Sequence, residues 1–382
     1  MTRNTIEVHL KLFFVFCLIL ATPFMVQSQE VQGVYSADSD GSLKGVITLP
    51  STGQTGTYGI NDDGALHKGA VWPNPRFTDN KNETITDNLT GLMWTKDARN
   101  PGPTSCPMDK NTEWEEALAH VACMNENKYL GYNDWRMPNV NELASLINTD
   151  YADSSVWLTS QGFKDIMKEF YWTSTTKADS SEEAWVGVMY SGNLFARSKE
   201  KKYPLWPVRG GEGRTSGVIK LPETGQNKCY GKKQKKNSDP CKGSGEDVEF
   251  ITGITWPSTR FQTEGDFVTD KLTGLIWAKV PYDNDTWVNA LDFVNSLSLG
   301  GYDDWRLPNR NELRSLVNYG EEDPADWLNT QGFEKVRSDD YWTSSAYGDR
   351  PGNSWVVNLK YGHVVAGRKD KKYYIFPLRG GQ

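Results

Sequence analysis

The sequence has a single long hydrophobic run, "LFFVFCLILATPFMV", and it lies near the N-terminus. Arg3, His9 and Lys11 precede or open this run, and small or apolar residues follow it up to Ser28. This order predicts a secretory signal peptide over residues 1–28. An uncleaved anchor is the alternative, but the run is short for a membrane span. No later segment is apolar enough to span a membrane, so we expect an exported protein in the periplasm, at the cell surface or outside the cell.

Basic residues are fewer than acidic residues. The chain has 42 Lys and Arg against 49 Asp and Glu, which gives a formal net charge of −7. General nucleic-acid binding normally requires a basic domain. The composition therefore argues against a nucleic-acid partner and leaves only local basic patches as candidates for anion binding.

Cysteine is scarce, with five in 382 residues. Cys17 falls in the predicted signal peptide, and the other four can pair in three ways. The short separations favour Cys106 with Cys123 and Cys229 with Cys241, as disulfides suited to an oxidising compartment. A metal site is the weaker alternative, because the sequence contains no CxxC motif.

What the chain does contain is a long internal repeat. "GYNDWRMPNVNEL" at 131–143 returns as "GYDDWRLPNRNEL" at 301–313, and "GVITLPSTGQT" at 45–55 returns as "GVIKLPETGQN" at 217–227. The repetition makes the LPSTG pentapeptide a building element of a duplicated domain rather than a sortase signal. We therefore predict tandem domains over residues 29–211 and 213–382.

Each repeat carries the sequence signals of two helices followed by strands. Thr112 and Glu115 have the spacing of a capping box before one helix, and Asn139 and Glu142 before another. After each "YWTS" motif, the sequence predicts a hairpin that turns at a glycine, and "YPLWPVRGG" or "YYIFPLRGG" adds a last strand. The layout is α+β, and we expect each repeat to fold independently of the other.

Each repeat resembles the Lcl C-terminal domain family, a former domain of unknown function known from a Legionella collagen-like adhesin. In the second repeat the resemblance is carried, in family order, by "LPETGQNKCY", "DPCKGSGED", "FVTDKLTGLIWAK", "TWVNALDFVNSL", "GYDDWRLPNRNEL", "YWTSS", "SWVVNL" and "PLRGG". It implies tandem C-type-lectin-like domains related to formylglycine-generating enzymes, each with two helices packed on a Trp-rich antiparallel sheet. The first repeat departs from this pattern, because "TYGINDDGALHKG" lacks the two cysteines of "CYGKKQKKNSDPCKG".

The repeats share no histidine. The histidines beyond the predicted signal peptide are His67, His120 and His363, and none has a histidine at the matching position of the other repeat. Histidine-based acid-base or nucleophilic catalysis common to both repeats is therefore not expected.

The shared carboxylates have structural explanations. Glu142 and Glu312 occupy capping-box positions, and Asp134 and Asp304 belong to the "DWR" motifs. The Trp and Arg residues of those motifs are predicted to be packed anchors whose guanidinium groups bind carbonyls or a carboxylate; these are Trp135, Arg136, Trp305 and Arg306. Calcium, a cofactor of sugar-binding lectins, has no support, since the ligand motifs EPN, QPD and WND are absent. We expect no cofactor, no metal and no enzymatic activity.

The remaining candidates for ligand binding are two basic segments, "RSKEKKY" and "GRKDKKYY". Several cations within a few residues could attract an anionic glycan or another cell-surface ligand, and neighbouring tyrosines could stack on sugar rings. The predicted contact residues are Lys199, Lys201, Lys202, Tyr203, Lys369, Lys371, Lys372 and Tyr373. The sequence predicts a non-enzymatic, adhesin-like binding protein. The alternatives are a carboxylate-dependent enzyme acting on polysaccharides, an accessory subunit of such an enzyme, or a structural envelope protein whose lysines only keep its turns soluble.

Overall fold

The computed structural model of the protein describes residues 45–99, 101–109, 111–210, 217–230, 241–348 and 350–381. The predicted signal peptide (1–28) and the predicted domain boundary (211–213) lie outside these ranges. Within them, no helix combines the length and hydrophobicity needed to cross a membrane.

The helices are short, and four occur in the described part of each repeat. In the first repeat they are α1 (Asp63–Leu66), α2 (Trp114–Glu126), α3 (Val140–Ala144) and α4 (Ser154–Ser160). In the second they are α5 (Asp247–Phe250), α6 (Trp287–Asn295), α7 (Arg310–Arg314) and α8 (Pro324–Thr330).

The strands repeat in the same way. The first repeat has β1 (Phe77–Asp79), β2 (Thr84–Asp87), β3 (Met93–Thr95), β4 (Phe170–Lys177), β5 (Ser180–Val188), β6 (Leu194–Ser198) and β7 (Val208–Arg209). The second has β8 (Phe261–Glu264), β9 (Phe267–Asp270), β10 (Ile276–Ala278), β11 (Tyr282–Asp285), β12 (Asp340–Ala346), β13 (Asn353–Asn358), β14 (Val364–Arg368), β15 (Tyr373–Ile375) and β16 (Leu378–Arg379). The predicted α+β class, written in two repeated halves, is confirmed.

The strands form two small sheets and one large sheet. The small sheets have the orders β1-β2-β3-β7 and β16-β10-β9-β8, and the large sheet has the order β11-β15-β12-β13-β14-β6-β5-β4. Strands of both repeats meet in the large sheet through one antiparallel pairing, between Val364 and Leu194. The predicted last strands, β7 and β16, belong to the small sheets, which the sequence analysis did not anticipate.

Of the two predicted capping boxes, the one before α3 is confirmed and the one before α2 is displaced by one residue. The Asn139 side chain accepts from the N–H of Glu142 at 2.9 Å, and the Glu142 carboxylate accepts from the N–H of Asn139 at 2.9 Å. At α2 the capping carboxylate is Glu116, not the predicted Glu115, and it accepts from the Thr112 hydroxyl at 2.5 Å. The two predicted disulfides, Cys106–Cys123 and Cys229–Cys241, are confirmed.

The segment that opens each repeat packs against the other repeat. We call residues 45–69 arm A and residues 217–230 together with 241–254 arm B. The N–H of Ile47 in arm A donates to Leu272 O at 2.9 Å, and the N–H of Ile219 in arm B donates to Leu89 O at 2.9 Å. The Asn311 side chain holds arm A by donating to Pro50 O at 3.1 Å, as Asn141 does for arm B at Pro222 O at 3.1 Å. The two repeats have thus exchanged their opening segments.

The hydrophobic core is continuous between the repeats. Val140, Ala144, Trp185 and Leu194 of the first repeat belong to a buried cluster otherwise formed by residues of the second. Ile219 and Leu221 of arm B belong to a cluster of the first repeat. Two of the buried clusters therefore contain residues of both repeats.

Candidate ligand-binding sites

Each predicted basic segment forms a turn against the N-terminus of the longest helix in its repeat. The N–H of Trp114 donates to Lys199 O at 3.1 Å, and the N–H of Trp287 donates to Lys369 O at 3.1 Å. The Lys199 ammonium lies 3.8 Å from the Trp114 ring centroid, and the Lys369 ammonium lies 3.6 Å from that of Trp287. Each of these two lysines thus makes a cation–π contact within its own repeat.

The other four predicted lysines, Lys201, Lys202, Lys371 and Lys372, are exposed. The two predicted tyrosines are half-buried against aromatic neighbours, Tyr203 at 4.9 Å from Trp172 and Tyr373 at 4.6 Å from Trp342 between ring centroids. Each turn therefore has two exposed lysines and a half-buried tyrosine that packs against a tryptophan ring.

The two turns differ in how far their charge is neutralised. In the second turn Arg368 is paired with Asp370, and the Lys372 ammonium lies 3.4 Å from Asp285 Oδ1. In the first turn the Arg197 guanidinium instead lies 4.0 Å from the Phe195 ring centroid. Arginine thus contacts an aromatic ring in the first turn and a carboxylate in the second.

Lys369 carries a perturbed pKa. Burial lowers the pKa of its ammonium group to about 8, and the nearby Asp62 carboxylate partly opposes that shift. Because the charged form is disfavoured and already faces two rings, Lys369 is a poor candidate for a glycan contact.

The residues of each "DWR" motif form hydrogen bonds and ion pairs with other parts of the same repeat. Arg136 donates to the Glu142 carboxylate at 2.5 Å and to Gly210 O at 2.6 Å, beside the buried Trp135. Asp134 pairs with Arg209 at 2.7 Å. The second repeat repeats this network with the pairs Arg306–Glu312 at 2.7 Å and Arg379–Asp304 at 2.6 Å. These carboxylates are thus engaged in tying the capped helix to the chain segment that ends each repeat.

The histidines are not arranged as catalytic pairs. His120 Nε2 lies 2.9 Å from Pro101 O, and burial lowers the pKa of its imidazole. His363 lies between the Trp185 and Tyr361 rings, at 5.6 Å from each centroid, and burial lowers its pKa to about 4. His67 is exposed at the end of α1. In the described ranges, no three His, Cys, Asp or Glu side chains are grouped so that they could hold a metal ion.

Two buried carboxyl groups were missed by the sequence analysis. Asp63 of arm A accepts hydrogen bonds from Thr52 and Ser345, both at 2.5 Å. Asp247 of arm B accepts from Thr175 at 2.7 Å and Thr224 at 2.8 Å. Burial raises the pKa of each to about 6. Their equivalence is hidden in the sequence, because the arms align with an offset of 172 at Thr52 and Thr224 but 184 at Asp63 and Asp247.

A cavity of about 360 Å³ lies between α2 and the segment 242–250 of arm B. It is lined by aromatic, aliphatic and polar side chains, including Trp114, Leu118, Trp135, Met137, Glu249 and Phe250. Its size and mixed lining are typical of small-ligand sites.

In the second repeat, arm A contacts the corresponding helix α6. Asn61 of arm A donates to Asn295 on α6 at 2.9 Å, and Asn295 stands where the first repeat has Ala122 in the cavity wall. Gly59 lies so close to α6 that a Cβ there would approach Leu291 Cδ1 to 2.7 Å. Arm A thus packs against α6, whereas a cavity remains between arm B and α2.

These features can now be set beside known proteins. The sequence profile of the Lcl C-terminal domain matches residues 83–209 and again residues 266–379. The chain belongs to the Lcl C-terminal domain family. The resemblance read from the sequence and the tandem duplication are both confirmed, and the matched ranges leave out arms A and B. No curated protein matches the chain. Membership in the Lcl C-terminal domain family suggests an adhesin-like or surface protein and names no ligand.

Proposed function

We propose that the protein is an exported, non-enzymatic binding protein that recognises anionic glycans in an adhesin-like role. The observation that carries this proposal is the first basic turn, where exposed Lys201 and Lys202 stand near Arg197 and the half-buried Tyr203. Cations grouped on an acidic protein create a local positive field that attracts sulfated or carboxylated sugars. The predicted signal peptide and the two disulfides support export.

The first repeat is proposed as the main binding repeat. The Arg197 guanidinium of its turn lies 4.0 Å from the Phe195 ring centroid, whereas the counterpart Arg368 in the second turn is paired with Asp370. The Trp114 ring under Lys199 also lines the cavity between α2 and arm B. A glycan held at the turn would therefore have an adjoining recess, whereas in the second repeat arm A contacts the matching helix.

The rival proposal, a carboxylate-dependent enzyme acting on polysaccharides, has less support. Glu142 and Glu312 are buried and paired with arginine, and the two arm carboxyl groups whose pKa is raised to about 6, Asp63 and Asp247, are buried where each arm meets the opposite repeat. A general acid must reach the proton acceptor on its substrate. None of these four groups has that access.

Heparin-affinity chromatography tests the proposal with a built-in control. The double variant Lys201→Glu/Lys202→Glu should elute at much lower salt than the wild type, and Lys371→Glu/Lys372→Glu should have a smaller effect. Both variants should keep the wild-type melting temperature, since the four side chains are exposed. A wild-type protein that is not retained at low salt, or two double variants that elute like the wild type, would contradict the proposal.

A further inference from the structure

A group of aromatic rings reaches the surface of the first repeat. The ring centroids of Trp72 and Trp157 lie 5.4 Å apart, and those of Tyr151 and Trp157 lie 6.3 Å apart. Tyr151 is 47% exposed, and the chain neighbours Val71 and Val156 are 80% and 56% exposed. We call Val71, Trp72, Tyr151, Val156 and Trp157 the aromatic platform.

The platform is held rigidly from below. The Arg76 guanidinium lies 4.0 Å from the Trp72 ring centroid and is fixed by Asp87 Oδ2 at 3.2 Å and Ser145 O at 2.6 Å. The Trp72 indole N–H donates to Ser51 O at 3.0 Å. Arg76 and Asp87 are both buried and paired with each other, so Arg76 contacts the Trp72 and Trp157 rings from the core side and leaves the outer side to the exposed Tyr151.

The second repeat has the same support and a different surface. Trp256 and Trp327 lie 5.7 Å apart, and Arg260 lies 4.5 Å from the Trp256 ring and is paired with Asp270 at 2.7 Å. At the three exposed positions, however, Thr255, Glu321 and Asp326 replace Val71, Tyr151 and Val156. The same framework thus carries an apolar surface in one repeat and a polar surface in the other, so the apolar residues are not needed for folding.

We propose that the aromatic platform binds an uncharged pyranose ring of a polysaccharide. The C–H face of such a ring packs on aromatic side chains, and the sugar hydroxyls need polar neighbours. The Tyr151 hydroxyl is exposed and makes no hydrogen bond to any residue in the described ranges. A stable protein interface requires roughly 20 to 30 residues on each side, whereas the platform comprises five residues.

The platform site does not use the basic turns, so the two sites can be tested separately. Affinity gel electrophoresis through soluble β-glucan, xylan, galactomannan and dextran serves as the assay, and each variant is compared with its own mobility in a gel without polysaccharide. The variant Val71→Thr/Tyr151→Glu/Val156→Asp copies the surface of the second repeat onto the first. The reciprocal variant Thr255→Val/Glu321→Tyr/Asp326→Val copies the platform onto the second repeat.

The wild type should be retarded in at least one of these gels. The first variant should bind that polysaccharide about tenfold more weakly or worse, as the loss of the Tyr151 ring and of two apolar side chains implies, and Tyr151→Ala should fall between. The reciprocal variant should bind more tightly than the wild type, and heparin elution should not change in any of them. Absence of retardation in all four gels, or equal retardation of the first variant, would overturn the proposal. It would also be overturned if the wild type sedimented as a dimer and the first variant as a monomer, because the platform would then be a contact between copies.

Discussion

At the scale of single residues, Asp63 and Asp247 are the groups whose environment departs furthest from that of an ordinary carboxylate. Each is fully buried where an arm meets the opposite repeat, and each accepts two hydroxyl hydrogen bonds and contacts no cation directly. The charged pairs that face them are Arg306 with Glu312 for Asp63 and Arg136 with Glu142 for Asp247. Burial therefore dominates and raises both pKa values to about 6.

The raised pKa values predict a pH dependence of stability. An unfolded Asp has a pKa of about 4, so the folded state binds more protons than the unfolded state between about pH 4 and 6. The unfolding free energy should consequently fall as pH rises through this window, by up to about 3 kcal/mol per carboxyl group. Urea unfolding between about pH 4.5 and 7.5 measures this dependence.

Substitution isolates the two groups. Asp63→Asn/Asp247→Asn should flatten the profile, with its largest gain over the wild type at the neutral end. Asp134→Asn, at the surface pair with Arg209, serves as the control and should keep the wild-type slope. A double variant whose slope equals that of the wild type would show that the two carboxyl groups do not titrate in this window.

At the scale of elements, local signals in the sequence specified local structure well. The cap formed by Asn139 and Glu142, the hairpins that turn at Gly192 and Gly362, and the disulfides all depend on residues close together in the chain. The exchange of arms could not be predicted this way. The residues that contact an arm are similar in the two repeats, since Asn141 matches Asn311 and Thr175 matches Ser345. The sequence therefore does not determine which repeat each arm contacts.

The arms depend on a few buried hydrogen bonds. Gln54 of arm A accepts from the N–H of Ala346 at 2.7 Å, and Gln226 of arm B accepts from the N–H of Thr176 at 3.3 Å. Gln54→Ala should destabilise the protein by about 1 to 3 kcal/mol, because it leaves a buried N–H without a partner. Chemical unfolding with the surface variant Gln161→Ala as control measures the loss. Equal stabilities of the two variants would mean that arm A contributes little.

At the scale of the whole molecule, the contacts do not favour the independent folding expected from the sequence. Beyond the exchanged arms, a tryptophan of each repeat packs on the hairpin glycine of the other. Trp355 lies so close to Gly192 that a Cβ there would approach its ring to 2.9 Å, and Trp185 stands in the same relation to Gly362 at 3.2 Å. Both glycines also have positive φ, 74° and 77°. Each hairpin thus needs glycine for two reasons: the turn requires a positive φ, and a tryptophan of the other repeat packs where a Cβ would lie.

This shared core predicts one cooperative unfolding transition instead of two. Trp135 and Trp305 are 1% and 2% exposed, and replacing either by Ala should cost about 3 to 5 kcal/mol. Calorimetry should show a single transition for the wild type, with calorimetric and van't Hoff enthalpies in agreement. Trp135→Ala and Trp305→Ala should each move the whole transition to lower temperature. Two resolved transitions, each shifted by only one of the substitutions, would show that the domains unfold independently.

Combining Gln54→Ala with Gln226→Ala should weaken both arms and thereby bring the protein closer to independent unfolding of the repeats, because the arms supply buried contacts between the repeats.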